Sequence, residues 1–287
     1  MPNPRHCTIG TARIGPGQPL AIIAGPCVLE SLELGLTIGT RLASVCRSLN
    51  LPYVFKASFD KANRSSIASP RGPGLDQGLA WLAEIRRRLA VPVTTDIHDP
   101  TQAEPAAAVV DILQIPAFLC RQTDLLIEAG RAAAERGRVV NVKKGQFMAP
   151  GEMRGVARKL IEAGCSQFFF TERGTFFGYG RLVNDFLGLG DLIDLDLAPL
   201  DTLGPAPVCF DCTHSTQLPG SGEQTGGRPD RAPLLARAAV AAGVHALFLE
   251  CHPDPRSALS DASTMLTLDQ AESLLRDAAT IRAALIR

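Results

Sequence analysis

Lysine is scarce in this sequence. Five of its 29 basic residues are lysine, and arginine supplies the rest. Charge of one sign is also missing: 29 basic and 29 acidic residues leave a formal net charge of zero. That balance argues against a partner such as nucleic acid or another polyanion. No apolar run approaches the roughly 18 residues of a membrane span, so no membrane partner is expected. The opening MPNPRHCTIG lacks the apolar stretch of a secretory leader, and the cytoplasm is the expected location. No Pro/Ser-rich or charged linker divides the chain, and no repeat or low-complexity tract appears, which points to one catalytic domain. Neither GxGxxG nor GxxxxGK[ST] occurs between a strand and a helix, so no nucleotide cofactor is expected. Eight cysteines are present. In a chain of this size and expected location they read as free thiols, not as a disulfide framework. Cys209 and Cys212 have CxxC spacing, but residues three apart on a strand face opposite ways.

Eight short apolar runs are present. They are AIIAGPC (21–27), YVFKASF (53–59), PVTTDIH (92–98), ILQIPA (112–117), VVNVKKG (139–145), QFFFTERG (167–174), PVCFDCTH (207–214) and ALFLECH (246–252). Continuous β-branched or aromatic runs are the mark of parallel strands buried on both faces. Near their C-terminal ends stand Cys27, Lys56, Asp96 with His98, Gln114, Lys143, Arg173, His214 and Glu250. Helical patterns recur between the runs, at 31–49, 75–89, 101–109, 123–136, 151–163, 231–242 and 268–284. Strand–helix alternation with chemistry gathered at the strand ends describes an α/β fold, the (β/α)8 or TIM barrel, and 287 residues lie close to the roughly 250 typical of one. The barrel is expected over 21–287. Residues 1–20 hold two short extended pieces, expected to form a hairpin closing its N-terminal end. Polar loops at 60–74 and 215–230 fall on the catalytic face, where such loops close over substrates.

Four of the five lysines, Lys56, Lys61, Lys143 and Lys144, lie in two short segments at strand ends. Alternation turns Lys144 away from its neighbour. An ammonium serves as a compact charge for phosphate or as a tunable acid, and guanidinium grips phosphate or carboxylate in a fork. Lys56, Lys61, Lys143, Arg64 and Arg173 on one face therefore point to phosphorylated small-molecule substrates. Cys27, His214, Glu250 and Asp261 offer thiolate, imidazole and carboxylates, a set that suits zinc, iron or manganese without choosing between them. Taken alone, Cys27 reads first as a buried thiol, and His98 and His252 are further candidate ligands. Asp96 and His98 share a strand side, as a pair that orients a hydroxyl, relays a proton, or is simply structural.

Taken together, IAGPCVLES, FKASFDKANRSS, RGPGLDQGL, TTDIHDPTQA, ILQIPAFLCRQTDLL, NVKKGQFMAP, TERGTFFGY, FDCTHS and the HPDP–ALSD segment resemble the 3-deoxy-D-manno-octulosonate 8-phosphate synthases. The resemblance runs from about residue 20 to the C-terminus. It implies a homotetrameric barrel that condenses phosphoenolpyruvate with arabinose 5-phosphate and releases phosphate. It implies the metal-dependent branch, where Cys27 replaces asparagine, with one divalent ion on Cys27, His214, Glu250 and Asp261. It implies Lys61, Lys143 and Arg173 on phosphoenolpyruvate, with Gln114 and the Ala117 backbone nearby. Lys56, Ser58, Asn63 and Arg64 then serve the sugar phosphate, Arg121 reaches a neighbouring subunit's site, and Lys61, Asp96, His98 and His214 are catalytic. Two departures stand out: Ala262-Ser263 follow Asp261 where glycine is usual, and Thr225 replaces a serine. The related heptulosonate synthases, acting on erythrose 4-phosphate, tend to carry Lys-Pro-Arg-Thr where this chain has Lys61-Ala62-Asn63-Arg64-Ser65. Sialic-acid-type synthases and a non-catalytic sugar-phosphate-binding barrel are more distant readings.

Overall fold

The structure is a computed structural model describing residues 3–63, 69–219 and 226–285. The chain begins with a hairpin of β1 (Cys7–Ile9) and β2 (Ala12–Ile14). Strands and helices then alternate: β3 (Ala21–Gly25), α1 (Leu32–Ser48), β4 (Tyr53–Lys56), α2 (Leu75–Leu89), β5 (Val93–Asp96), α3 (Ala103–Val109), β6 (Ile112–Ile115) and α4 (Thr123–Arg136). They continue through β7 (Val139–Lys143), α5 (Met153–Glu162), β8 (Phe168–Glu172), α6 (Phe186–Ile193) and β9 (Val208–Asp211). A small hairpin of β10 (Gln217–Leu218) and β11 (Gly226–Gly227) precedes α7 (Ala232–Ala241), β12 (Ala246–Glu250) and α8 (Leu268–Leu285). Eight parallel strands close into a barrel in the order β12-β3-β4-β5-β6-β7-β8-β9. β12 seals it, pairing Ala246 with Ala21 on one edge and with Cys209 on the other.

The barrel has two cores, because successive strand side chains alternate between its inside and its helical coat. Outward residues such as Ile22, Phe55, Leu113, Val140, Phe170 and Leu247 pack with the helices. Inward residues Ile23, Val54, Ile112, Val139, Phe169, Cys209 and Phe248 form a second cluster. That inner cluster also holds Cys7, Ile9 and Ile14, so the first hairpin packs against the strand starts. Cys209 lies in the inner cluster and Cys212 in the outer one, as the opposite-face reading expects. Above the inner apolar layers the same alternation turns polar residues inward at the strand ends.

Local sequence explains the helix boundaries. Ser31 caps α1 by accepting from the Leu34 amide at 3.1 Å, and Ile38, Leu42, Val45 and Cys46 bury one face at helical spacing. One helix escaped the sequence pattern. Helix α6 has eight residues and two glycines, too short and too interrupted for a periodic stripe, and its signal is the Asp185 cap accepting from Leu187. Gly25 is needed for close approach: a Cβ there would meet the Lys56 carbonyl oxygen at 2.0 Å. No described helix is long and apolar enough to cross a membrane.

Candidate active site

A cavity of about 460 Å³ opens at the C-terminal ends of the barrel strands. Its floor is made by the last inward side chains: Lys56 of β4, Asp96 of β5, Gln114 of β6, Lys143 of β7 and Glu250 of β12. Arg173, directly after β8, belongs to the same ring. The loop after β12 supplies a wall that includes Asp261.

The candidate metal ligands converge there. Ligand atoms of Cys27, Glu250 and Asp261 all lie within 4.8 Å of one another. His214 turns Nε2 toward the same point, 3.5 Å from Glu250 Oε2 and 3.7 Å from Asp261 Oδ2. Glu250 Oε2 is buried without a hydrogen-bond partner, a condition that native interiors rarely tolerate and a cation relieves. Burial, with Asp261 and then Glu250 alongside, pushes the Cys27 thiol well above its ordinary value, and Sγ donates to Asp261 Oδ2 at 2.8 Å. Burial opposes charge on Asp261, yet Lys61 and His214 hold it well below the usual carboxylate range. Burial likewise opposes charge on Glu250, which Lys56 and His214 hold low. The set of thiol, imidazole and two carboxylates fits a divalent ion. Asp261 has φ of 48°, in the left-handed region that aspartate tolerates better than most residues.

Lys56 Nζ donates to Glu250 Oε1 at 2.5 Å and to the Cys27 carbonyl at 2.8 Å. Burial works against its charge, but Glu250 with the other anionic neighbours, Asp96 among them, raises its pKa overall. Lys56 is thus tied to the ligand cluster, while Lys61 Nζ reaches Asp261 Oδ2 at 3.7 Å. Both lysines line the cavity with Asn63 and Ala117. Asp96 accepts from Ser58 Oγ on one oxygen and lies 3.0 Å from His98 Nε2 on the other. Burial opposes its charge, but His98 and the two lysines hold it well below the usual range. His98 Nδ1 is buried without a partner.

Arg173 is 5% exposed, with Nη2 donating to Gln217 at 2.5 Å and Nη1 buried without a partner. A free guanidinium N–H at a cavity lined by Lys143 and Lys61 is a seat for an anion. Burial lowers the Arg173 pKa. Lys144 instead points away from the cavity, donating to the Met148 carbonyl at 3.1 Å and lying 3.4 Å from Glu172. Arg121 is exposed and outside this cavity. Arg64 lies outside the described residues.

Sequence reasoning placed His214 at a strand end, but β9 stops at Asp211 and His214 opens a short 3-10 turn, His214–Thr216. The residue missed was Asp211. It is fully buried, accepts from Lys143 Nζ at 2.6 Å and stands 2.7 Å from His214 Nδ1. Its signal was available: two residues after inward Cys209, it must face inward too. Asn141 and Thr171 were missed as well. They link to Gln114, with Asn141 Nδ2 donating to Gln114 and Thr171 Oγ1 donating to Asn141.

The family model described as the DAHP synthetase I family matches residues 5–284. Among curated relatives, the 2-dehydro-3-deoxyphosphooctonate aldolase of Granulibacter bethesdensis is 51% identical over 273 residues, 95% of this chain and 92% of its own. That of Desulfotalea psychrophila is 50% identical over 94% of this chain and 92% of its own, and that of Cyanothece sp. 50% identical over 95% of each.

Proposed function

This chain belongs to the DAHP synthetase I family, and we propose that it condenses phosphoenolpyruvate with D-arabinose 5-phosphate and water. The products are 3-deoxy-D-manno-octulosonate 8-phosphate, a precursor of lipopolysaccharide sugar, and phosphate. The observation that carries this reading is one cavity holding both an anion seat (Arg173, Lys143, Lys61) and a ligand cluster for a cation. A passive sugar-phosphate binder has no use for the second. The relatives named above are named for the octonate, whose eight carbons are three from phosphoenolpyruvate and five from a pentose. Erythrose 4-phosphate would give a seven-carbon acid, and the Lys61-Ala62-Asn63 segment departs from the Lys-Pro-Arg usual for that substrate.

In this reading Arg173 and Lys143 hold phosphoenolpyruvate, with Gln114 and the Ala117 backbone beside it. Lys56, Ser58, Asn63 and Arg64 serve the sugar phosphate and its hydroxyls. Bringing two polyanions together is the main electrostatic obstacle, and fixed buried cations offset it along with the entropy of encounter. C3 of phosphoenolpyruvate forms a bond to the sugar aldehyde carbon. The aldehyde oxygen takes up a proton, for which the Lys61 ammonium lining the cavity is the candidate donor. Water adds at C2, its proton passing to a base; the Asp96–His98 pair is the candidate, since both ring nitrogens of His214 are committed, one to Asp211 and one to the metal cluster. Phosphate then leaves C2 with the bridging oxygen. We assign one divalent ion, zinc, iron or manganese, to Cys27, His214, Glu250 and Asp261. When bound, it supplies Lewis-acid polarisation of an oxygen or a more acidic water.

Loss of phosphate by C–O cleavage is tested with phosphoenolpyruvate carrying heavy oxygen at the C2–O–P bridge. Label in the released phosphate supports the sequence of steps; label left in the organic product overturns it. We also assign the cytoplasm, where eight buried free thiols stay reduced, and a homotetramer. Phe177, Tyr179 and Leu187, each more than four-fifths exposed, support an association surface near the catalytic face. The tetramer would bring Arg121 to a neighbouring site. A sedimentation mass of four chains is the expected result, and a monomer would refute it.

A further inference from the structure

Asp211 has two oxygens with separate tasks. Oδ1 accepts from the Thr213 amide at 3.1 Å, the Thr213 hydroxyl at 3.1 Å and the His214 amide at 2.9 Å. That fixes the turn leaving β9. Oδ2 is shared by Lys143 Nζ at 2.6 Å and His214 Nδ1 at 2.7 Å. The far nitrogen of His214 faces Glu250 and Asp261, and Lys143 lines the cavity. Phe248 closes the space between them, with Lys143 Nζ 3.6 Å from its ring centre and the His214 ring 5.9 Å away. One buried oxygen therefore touches both the cation cluster and the anion seat.

We infer that Asp211 is a positioning residue that couples divalent-ion binding at His214 to phosphate binding at Lys143. The inference rests on the metal and substrate assignments proposed above. An acceptor at Nδ1 requires the proton there, which leaves Nε2 bare for a metal. A cation on Nε2 makes Nδ1–H a stronger donor and draws Oδ2 toward the imidazole. Lys143 is then held less tightly and is freer to pair with phosphate. The reverse holds equally: phosphate that draws Lys143 off Oδ2 leaves Asp211 a stronger acceptor for His214, which strengthens the metal ligand. Linkage requires the two effects to be the same factor.

The test is equilibrium binding without turnover. Chelated protein is titrated with Co²⁺, read by thiolate-to-cobalt absorption from Cys27, with and without saturating phosphoenolpyruvate. Phosphoenolpyruvate affinity is measured in turn with and without Co²⁺. In the native protein each ligand should tighten the other by about 5-fold or more. In Asp211→Asn the amide can still accept at Oδ1 but must donate where Oδ2 stood. The proton of His214 is then forced onto Nε2. Cobalt affinity should fall about 10–100-fold, and the mutual tightening should shrink by at least half of its logarithm. A purely structural defect would weaken both ligands and leave the coupling factor unchanged, and that result overturns the inference. Should Asp211→Asn fail to fold, Lys143→Met removes the other end of the bridge. With Oδ2 left to His214 alone, cobalt should bind more tightly than to the native protein before any phosphoenolpyruvate is added, and should gain nothing further from it; unchanged cobalt affinity, or a retained response, overturns the inference. A native protein that binds both ligands without linkage refutes it alone. One that binds no phosphoenolpyruvate refutes the proposed function and this inference together.

Discussion

Lys56 and Glu250 form a buried ion pair, each with a side chain no more than 2% exposed. Removing one member of such a pair strands the other charge in a medium that cannot solvate it. Glu250→Ala is expected to cost about 3–5 kcal/mol in denaturant melts. Adding Lys56→Met in the same chain should recover most of that loss, since an apolar pair needs no compensation; additive losses would contradict the assignment. Cys27 carries a second prediction. Its thiol is protonated in the metal-free protein, since burial and the adjacent carboxylates raise its pKa, whereas a metal takes the thiolate. Metal uptake should therefore release protons, and affinity should rise with pH through the neutral range. Calorimetry in buffers of different ionisation heat reads the proton count, and a pH-independent affinity would exclude Cys27 as ligand. At this scale the sequence showed which residue types carry chemistry and the alternation that aims them. It did not show Asp211 as a shared acceptor, because that role arises from Lys143 on β7 and His214 beyond β9 meeting across the barrel.

Strand ends and the loops after them decide where these groups stand. β11 is held against the loop that carries Asp261: a Cβ on Gly227 would meet the Ser263 carbonyl oxygen at 2.5 Å. Gly227→Ala should displace that loop and weaken metal binding by about 10-fold or more, the scale of lost outer support at metal sites. Stability should change far less, and unchanged cobalt affinity would show that β11 does not set the loop. At the opposite end of the barrel, His245 accepts from the Val208 amide at 2.9 Å. Burial, with Arg282 close by, lowers its pKa from 6.5 to about 4. The folded state thus favours neutral His245, while the unfolded chain takes up a proton near the ordinary value. Stability from this residue is complete above pH 6.5 and declines as pH falls toward 4, by at most about 3 kcal/mol. His245→Asn, which keeps an acceptor, should flatten that part of the Tm profile; an unchanged slope would assign it to other groups. The strands were legible because a parallel strand buried on both faces leaves an unbroken apolar run. α6 was not, since eight residues with two glycines carry no periodic stripe.

Across the whole molecule, the closed barrel explains how residues from 56 to 263 line one cavity. β12 joins β3, so Glu250 and Cys27, at opposite ends of the chain, become neighbours. Sequence alternation could place eight strands in order but not the tilt and closure that set distances between their ends. That is why a four-residue ligand set could be named from residue chemistry and resemblance, while the 3.5 Å and 3.7 Å approaches of His214 required coordinates. The charge layout has the same origin. A chain with no net charge gathers lysines and Arg173 at one mouth, so its anion affinity is local. Binding of phosphoenolpyruvate should therefore be far more sensitive to Arg173→Met than to any exposed arginine on α2. The measurement that decides the central claim is phosphate release from phosphoenolpyruvate by purified protein. It is run with arabinose 5-phosphate or erythrose 4-phosphate, each before and after thorough chelation. Release is expected with the pentose phosphate, lost on chelation and restored by a divalent ion. Preference for the four-carbon sugar would contradict the substrate, and activity indifferent to chelation would contradict the ligand cluster.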